Sequence, residues 1–141
     1  MKEISYVMIK PGFLEHEDAI VKRIKKVGEI TKRQKMLLND DILSAHYAEH
    51  IGKSFYPELA EYMKSGMVIG YQVEGEEGLI GRIREIVGAT KNPEAGTIRH
   101  DFGVGEITRN VIHASDSKEA GIAECKRMFD DAEKYHIEIV E

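Results

Sequence analysis

The chain contains no tryptophan, only one cysteine and only three prolines among 141 residues. The lone Cys125 cannot close an internal disulfide, which excludes a disulfide-stapled secreted scaffold and suits a reducing compartment. No Ser/Pro-rich linker or internal repeat divides the sequence. No apolar run approaches the ~20 residues that a bilayer-spanning helix needs. The opening Met1-Lys2-Glu3-Ile4-Ser5-Tyr6 brings an acid early and no apolar signal core, so a cytoplasmic location is expected. Positive charge is also short: 20 Lys+Arg against 25 Asp+Glu give a net charge of −5, which argues against a general nucleic-acid or anionic-membrane binder.

What remains is an ordinary globular balance, 42% hydrophobic and 32% charged. The length predicts one domain over residues 1–141, large enough to need neither disulfides nor a structural metal. Ile4 to Ile9 is apolar on both faces and reads as a central strand stopped by Pro11-Gly12. Ile20, Ile24 and Val27 fall at helical spacing, with Gly28 as a C-cap. Ile30 to Leu37 reads as a strand, and Asp41 to Ile51 and Glu58 to Lys64 as short helices. Met67 to Val73 alternates as a strand, and Leu79 to Val87 is a helix ended by Gly88. Residues 88–105 read as a long loop, a feature that usually serves function. A strand-like Asn110-Val111-Ile112 precedes a helix in which Asp116 and Glu119 form a capping box. Tyr135 to Val140 closes the chain as a strand. The order predicts an α+β fold with helices on a largely antiparallel sheet.

Several patterns have plain readings. His46-Tyr47-Ala48-Glu49-His50 matches H-x-x-E-H, but without an evident third ligand the pair reads as surface or edge histidines, and no protein-held metal is expected. Seven of the fourteen residues Lys22–Lys35 are basic, which reads as the solvated side of a helix and strand rather than a nucleic-acid patch. Gly103-Val104-Gly105 lacks the context of a dinucleotide fingerprint, and Cys125 reads as a packing residue.

His113 differs. It sits between two β-branched residues and the capping-rich Ser115-Asp116-Ser117, at a strand-to-helix junction. Free N–H donors and the positive end of a helix dipole collect there, favouring neutral imidazole and an incoming phosphate. Glu124, further along that helix, is placed to orient the ring. Lys10, Arg84, Thr90 and Arg99 are candidate phosphate contacts, and no P-loop is present to hold phosphate instead.

The segment Asn110-Val111-Ile112-His113-Ala114-Ser115-Asp116-Ser117 resembles the N-x-x-H-[GA]-S-D-S signature of nucleoside diphosphate kinases. The likeness continues in order along nearly the whole chain. It includes Ile9-Lys10-Pro11, His46-Tyr47, Phe55-Tyr56 with Leu59, and Tyr62-Met63-Lys64-Ser65-Gly66. It also includes Arg84, Gly88 and Thr90 at R-x-x-x-G-x-T spacing, and Gly96-Thr97-Ile98-Arg99. Departures fall in turns: Pro11-Gly12-Phe13 is a shortened turn, Asn92 to Gly96 is shortened, His100 replaces a glycine, and an extra residue precedes Arg109.

The resemblance implies a ferredoxin-like α/β sandwich with a mostly antiparallel four-stranded sheet covered by helices. It implies ping-pong transfer of a γ-phosphoryl group from a nucleoside triphosphate to a diphosphate through a phosphohistidine on His113. By the same likeness Lys10, Tyr47 and Asn110 hold phosphate and sugar, and Arg84, Thr90 and Arg99 hold the phosphate chain. Phe55 and Leu59 sandwich the base, and Ser115 and Glu124 support His113. Mg²⁺ arrives on the nucleotide phosphates. A homo-oligomer is implied, hexamers first, tetramers or dimers next, with no membrane or nucleic-acid partner. The alternative from another class is a catalytically weak paralogue, a nucleotide-sensing or DNA-binding regulator.

Overall fold

The computed structural model describes residues 2–105 and 109–140. Strand β1 (Lys2–Ile9) is almost wholly buried and lies inside an antiparallel sheet, paired on both sides. The others are β2 (Glu29–Leu37), β3 (Val68–Glu76), β4 (Ile112–Ala114) and β5 (Glu138–Val140), in the order β4-β1-β3-β2-β5. The sheet thus has five strands where four were expected. The fifth pairs only Glu138, Ile139 and Val140 with the end of β2.

Around the sheet lie helices α1 (Glu17–Ile24), α2 (Asp40–His46), α3 (Tyr56–Met63), α4 (Leu79–Val87), α5 (Ile98–Phe102) and α6 (Lys118–Cys125). Most agree with the hydrophobic spacing, and α4 keeps the predicted bounds. Three differ for local reasons. The stretch read as one helix to Ile51 breaks at Tyr47 into α2 and a 3-10 turn, Ala48–His50. The long loop contains α5, five residues capped by Thr97 Oγ1 accepting from the His100 amide. The cap of α6 is Ser117, whose Oγ accepts from the Ala120 amide, rather than Asp116. After α6 the backbone widens into a π-helical turn over Lys126–Asp130. The extra residue expected before Arg109 lies outside the described residues.

The pleat of β1 divides the interior into two cores. Val7 and Ile9 face a cluster with Ile20, Ile24, Leu79, Ile83 and Val87 from α1 and α4. Tyr6 and Met8 face the other way, into a cluster with Ile42, Leu43, Met63, Cys125 and Met128. Helix α6 lies directly on β1 because Gly121 has no side chain. A Cβ there would stand 1.9 Å from the Ile4 carbonyl oxygen. That close approach carries Glu124, one turn further on, over the end of β4.

Candidate active site

In β4, Ile112 and Ala114 turn into the first core, so alternation directs His113 to the opposite face. Its register partner on β1 is Met8. On that face His113 Nε2 lies 2.8 Å from Glu124 Oε1. The same carboxylate oxygen accepts from Ser115 Oγ at 2.9 Å. Ser115 is fully buried, and its Oγ also accepts from the Tyr6 amide at 2.9 Å. Because a carboxylate is an acceptor, Nε2 carries the ring proton, and Nδ1 is left with the lone pair. The arrangement is that of an activated nucleophile, a base-like carboxylate orienting a ring whose other nitrogen is free to react.

Lys10 follows β1 and is 7% exposed, its amide donating to the Val111 carbonyl at 3.0 Å. Burial, reinforced by the Arg99 charge, pulls its ammonium down to about 8. Arg99, on α5, donates to the Gly88 carbonyl at 2.8 Å and the Ile112 carbonyl at 3.1 Å. Its buried Nε has no partner among the described residues. Burial, and next the charge of Arg84, disfavour its guanidinium. Arg84, at the end of α4, is exposed and donates to Asp116 at 2.6 Å. Lys10, Arg99 and Arg84 therefore share one positive field, with Asp116 as the carboxylate beside them. Two carbonyls leave the charge of a part-buried guanidinium incompletely balanced, a setting whose chemistry suits an anion.

The remaining expected residues fall into two groups. Tyr47 is buried, and its hydroxyl has no hydrogen-bond partner among the described residues. Asn110 is buried, and its Oδ1 accepts from the Ile112 amide at 3.3 Å. Phe55 is 43% exposed at the rim, against the His50 ring at 5.3 Å. Thr90 is exposed in the bend after α4. Leu59 is only 8% exposed and belongs to the second core, so it offers little surface to a ligand.

One reading of the sequence needs revision. His46 is not a surface histidine: its ring packs edge-to-face against His113 at 5.0 Å, and Arg127 Nη1 donates to its Nδ1 at 3.2 Å. Arg127 was not singled out, although it stands three residues after Glu124 and so shares its helical face. The basic strip is largely exposed, as expected of a solvated face, with three of its side chains in ion pairs. Arg23 pairs with Asp101 at 2.9 Å, Arg33 with Glu17 at 2.7 Å, and Lys32 with Asp130 at 3.5 Å. Cys125 is buried, and burial pushes its thiol up to about 12, as befits a packing residue.

A histidine held by a carboxylate beside an incompletely neutralised cation cluster is equipped to take a phosphoryl group. Comparison with known proteins gives the family. The sequence profile of the family described as nucleoside diphosphate kinase matches residues 3–134. A nucleoside diphosphate kinase of Methanothermobacter thermautotrophicus is 42% identical over 136 residues, covering 93% of this chain and 89% of that protein. One from Methanosphaera stadtmanae is 36% identical, covering 94% and 90%. Among solved structures, the nucleoside diphosphate kinase of Aquifex aeolicus superimposes with a TM-score of 0.82 at 29% identity, covering 92% of this chain and 96% of that one. That of Encephalitozoon cuniculi gives 0.84 at 28% identity, covering 90% and 88%. The chain belongs to the nucleoside diphosphate kinase family.

Proposed function

We propose that this chain transfers the γ-phosphoryl group of a nucleoside triphosphate to a nucleoside diphosphate in two steps, through a phosphohistidine on His113. Family membership supports the overall transfer. The observation that supports the route is the 2.8 Å bond between His113 Nε2 and Glu124, which leaves Nδ1 as the nucleophile. In the first step the Nδ1 lone pair forms the N–P bond as the bond from phosphorus to the β–γ bridging oxygen breaks. The electrons leave on the departing diphosphate. The Nε2 proton stays in place, and Glu124 stabilises the positive ring that results. A second diphosphate then attacks the phosphohistidine from the same pocket and reverses the sequence. One site serves both halves because donor and acceptor differ only in the group transferred.

Lys10, Arg99 and Arg84 hold the phosphate chain and stabilise its charge during transfer, with Thr90 at the exposed margin. Tyr47 and Asn110 hold sugar and phosphate. The base rests on the exposed Phe55 ring, with Leu59 contributing little area, a contact every base can make. Three cations and a single nearby carboxylate suit phosphate oxygens better than a bare metal, so Mg²⁺ enters as part of the nucleotide substrate. The protein works as a single cytoplasmic domain in a homo-oligomer, hexamers first, tetramers or dimers next. Among the described residues no helix is long and apolar enough to cross a membrane. The regulator reading is not favoured, since the family and the relatives it matches are phosphotransferases by name.

Incubation with γ-labelled ATP should give an acid-labile, base-stable phosphoprotein that is absent in His113→Ala. Label persisting in that variant would sink the assignment.

A further inference from the structure

Helix α6 and the turn after it reach two imidazoles at once. Glu124 holds His113, and Arg127, one turn on, holds His46. The rings stand 5.0 Å apart at 70°. Arginine has no acceptor, so His46 Nδ1 must be unprotonated and its ring hydrogen must sit on Nε2. Position adds a second constraint. His46 is the last residue of α2, where the helix dipole would ordinarily favour an imidazolium. Arg127 supplies the cation at that end instead. The other groups facing His46 are His113 and Lys10 at the nucleophile, Tyr6 from β1 and Tyr47 beside it, with Glu124 already engaged by His113 and Ser115. No free carboxylate is among them, so nothing would balance a charge on His46.

We infer that Arg127 is a positioning residue for phosphoryl transfer: its bond to His46 Nδ1 fixes that ring as a neutral Nε2–H tautomer packed against the nucleophile. The inference rests on the reading of His113 as the phosphorylated residue. As phosphorus bonds to Nδ1, the His113 ring becomes positive and depends on Glu124. A charged or wrongly protonated His46 at 5.0 Å would oppose that charge and compete for the carboxylate. Burial and the surrounding cations already hold His46 well below its ordinary value. Removing Arg127 withdraws one of those cations and frees both tautomers. The π-helical turn at Lys126–Asp130 is a departure from regular helix of the kind that often accompanies function, and Arg127 lies within it.

The test uses the intact enzyme. ¹⁵N spectra of the imidazoles should show His46 Nδ1 unprotonated in the wild type and a mixture of tautomers in Arg127→Leu. Phosphoenzyme formation followed by rapid quench should slow by about tenfold in Arg127→Leu near pH 6. The slowing should shrink toward about pH 8, so the acid limb moves to higher pH. The KM for nucleotide should stay within about twofold, since Arg127 removes no phosphate contact. Arg127→Lys, which keeps a cationic donor, should restore most of the rate. A wild-type His46 protonated at Nδ1 would overturn the inference whether or not the variants fold. So would an Arg127→Leu enzyme that labels His113 at the wild-type rate with an unshifted pH profile. If wild-type enzyme labels a residue other than His113, the underlying reading fails, and this result is distinct from both.

Discussion

The two faces of the sheet are built from different materials. The face under α1 and α4 is packed by Ile9, Ile20, Ile24, Ile69, Ile83 and Val87, with Val7 and Val73. These side chains are stiff, and buried polar groups among them are few: the Tyr71 hydroxyl donates to Glu17, Glu3 accepts from the Gly78 and Ile80 amides, and the Ser5 hydroxyl has no partner among the described residues. The face under α2, α3 and α6 holds Met8, Met36, Met63 and Met128, together with Tyr6, Tyr47 and Cys125. Methionine adapts to irregular surroundings, and the Tyr6 and Tyr47 hydroxyls there have no partner among the described residues. His113, His46 and Glu124 border this second core. The first face is mostly stiff aliphatic packing, and the second gathers the adaptable and polar side chains around His113. This is where a sequence is expected to break its own packing rules.

The largest expected effect tests the structural face. Ile83 is 0% exposed, and Ile83→Ala should destabilise by about 2–5 kcal/mol through lost burial and the cavity left behind. Urea denaturation measures this, while kcat per folded molecule should stay unchanged. A large fall in kcat without loss of stability would show that the two faces are not separable. Next comes Arg99→Ala, which removes a part-buried charge from the proposed phosphate cluster. A charged contact to transferring phosphate is worth about 2–4 kcal/mol, so turnover should fall by roughly 10²–10³. Arg84→Ala, at an exposed position already paired with Asp116, should cost less but still about tenfold. Steady-state kinetics on folded variants decides this, and near wild-type turnover for Arg99→Ala would remove the cation cluster from the mechanism.

Sequence legibility followed the same division. Periodic apolar residues such as Leu79, Ile80, Ile83 and Val87 announce α4 because a helix must bury one stripe. A linear signature and a charge argument single out His113, Lys10, Arg84 and Arg99, and the fold brings Lys10, Arg84 and Arg99 into one positive field near His113. Less legible was anything decided by contact between distant segments. His46 and Arg127 are 81 positions apart, and only the seating of α6 on β1 through Gly121 brings them together. The burial of Leu59 in the second core was equally hidden, because it depends on how α3 packs on the sheet. The helix inside the 88–105 stretch was hidden by its glycines and proline, since a five-residue element leaves no periodicity to detect.

Tyr47 sharpens the comparison by asking whether an unsatisfied group is a defect or a binding contact. Leaving a buried hydroxyl unpaired costs about 1–3 kcal/mol. Tyr47→Phe should therefore raise the stability of the free protein by about 1 kcal/mol in the same urea experiment. It should also raise the KM for nucleotide several-fold. A more stable protein with unchanged KM would make Tyr47 a packing residue and nothing else.

The smallest expected effect is a pH dependence at Lys10, and here binding and folding should diverge. Its ammonium is pulled down to about 8 by burial and by Arg99, from about 10.4 in an unfolded chain. Below about pH 8 both states carry the proton, and the folded protein bears the cost of burying the charge. Between about 8 and 10.4 the folded state loses its proton first, so this group makes the protein more stable as pH rises. Phosphate binding requires the opposite form. A nucleotide favours the ammonium, so affinity should weaken as pH rises through about 8, approaching tenfold per unit above it. Calorimetry near pH 8.5 in two buffers of different ionisation enthalpy should show proton uptake on ADP binding. Lys10→Met should bind more weakly at neutral pH, with no proton uptake and a flatter pH dependence. If Lys10→Met instead keeps the wild-type proton uptake, another group carries the linkage, and Lys10 does not meet the phosphate.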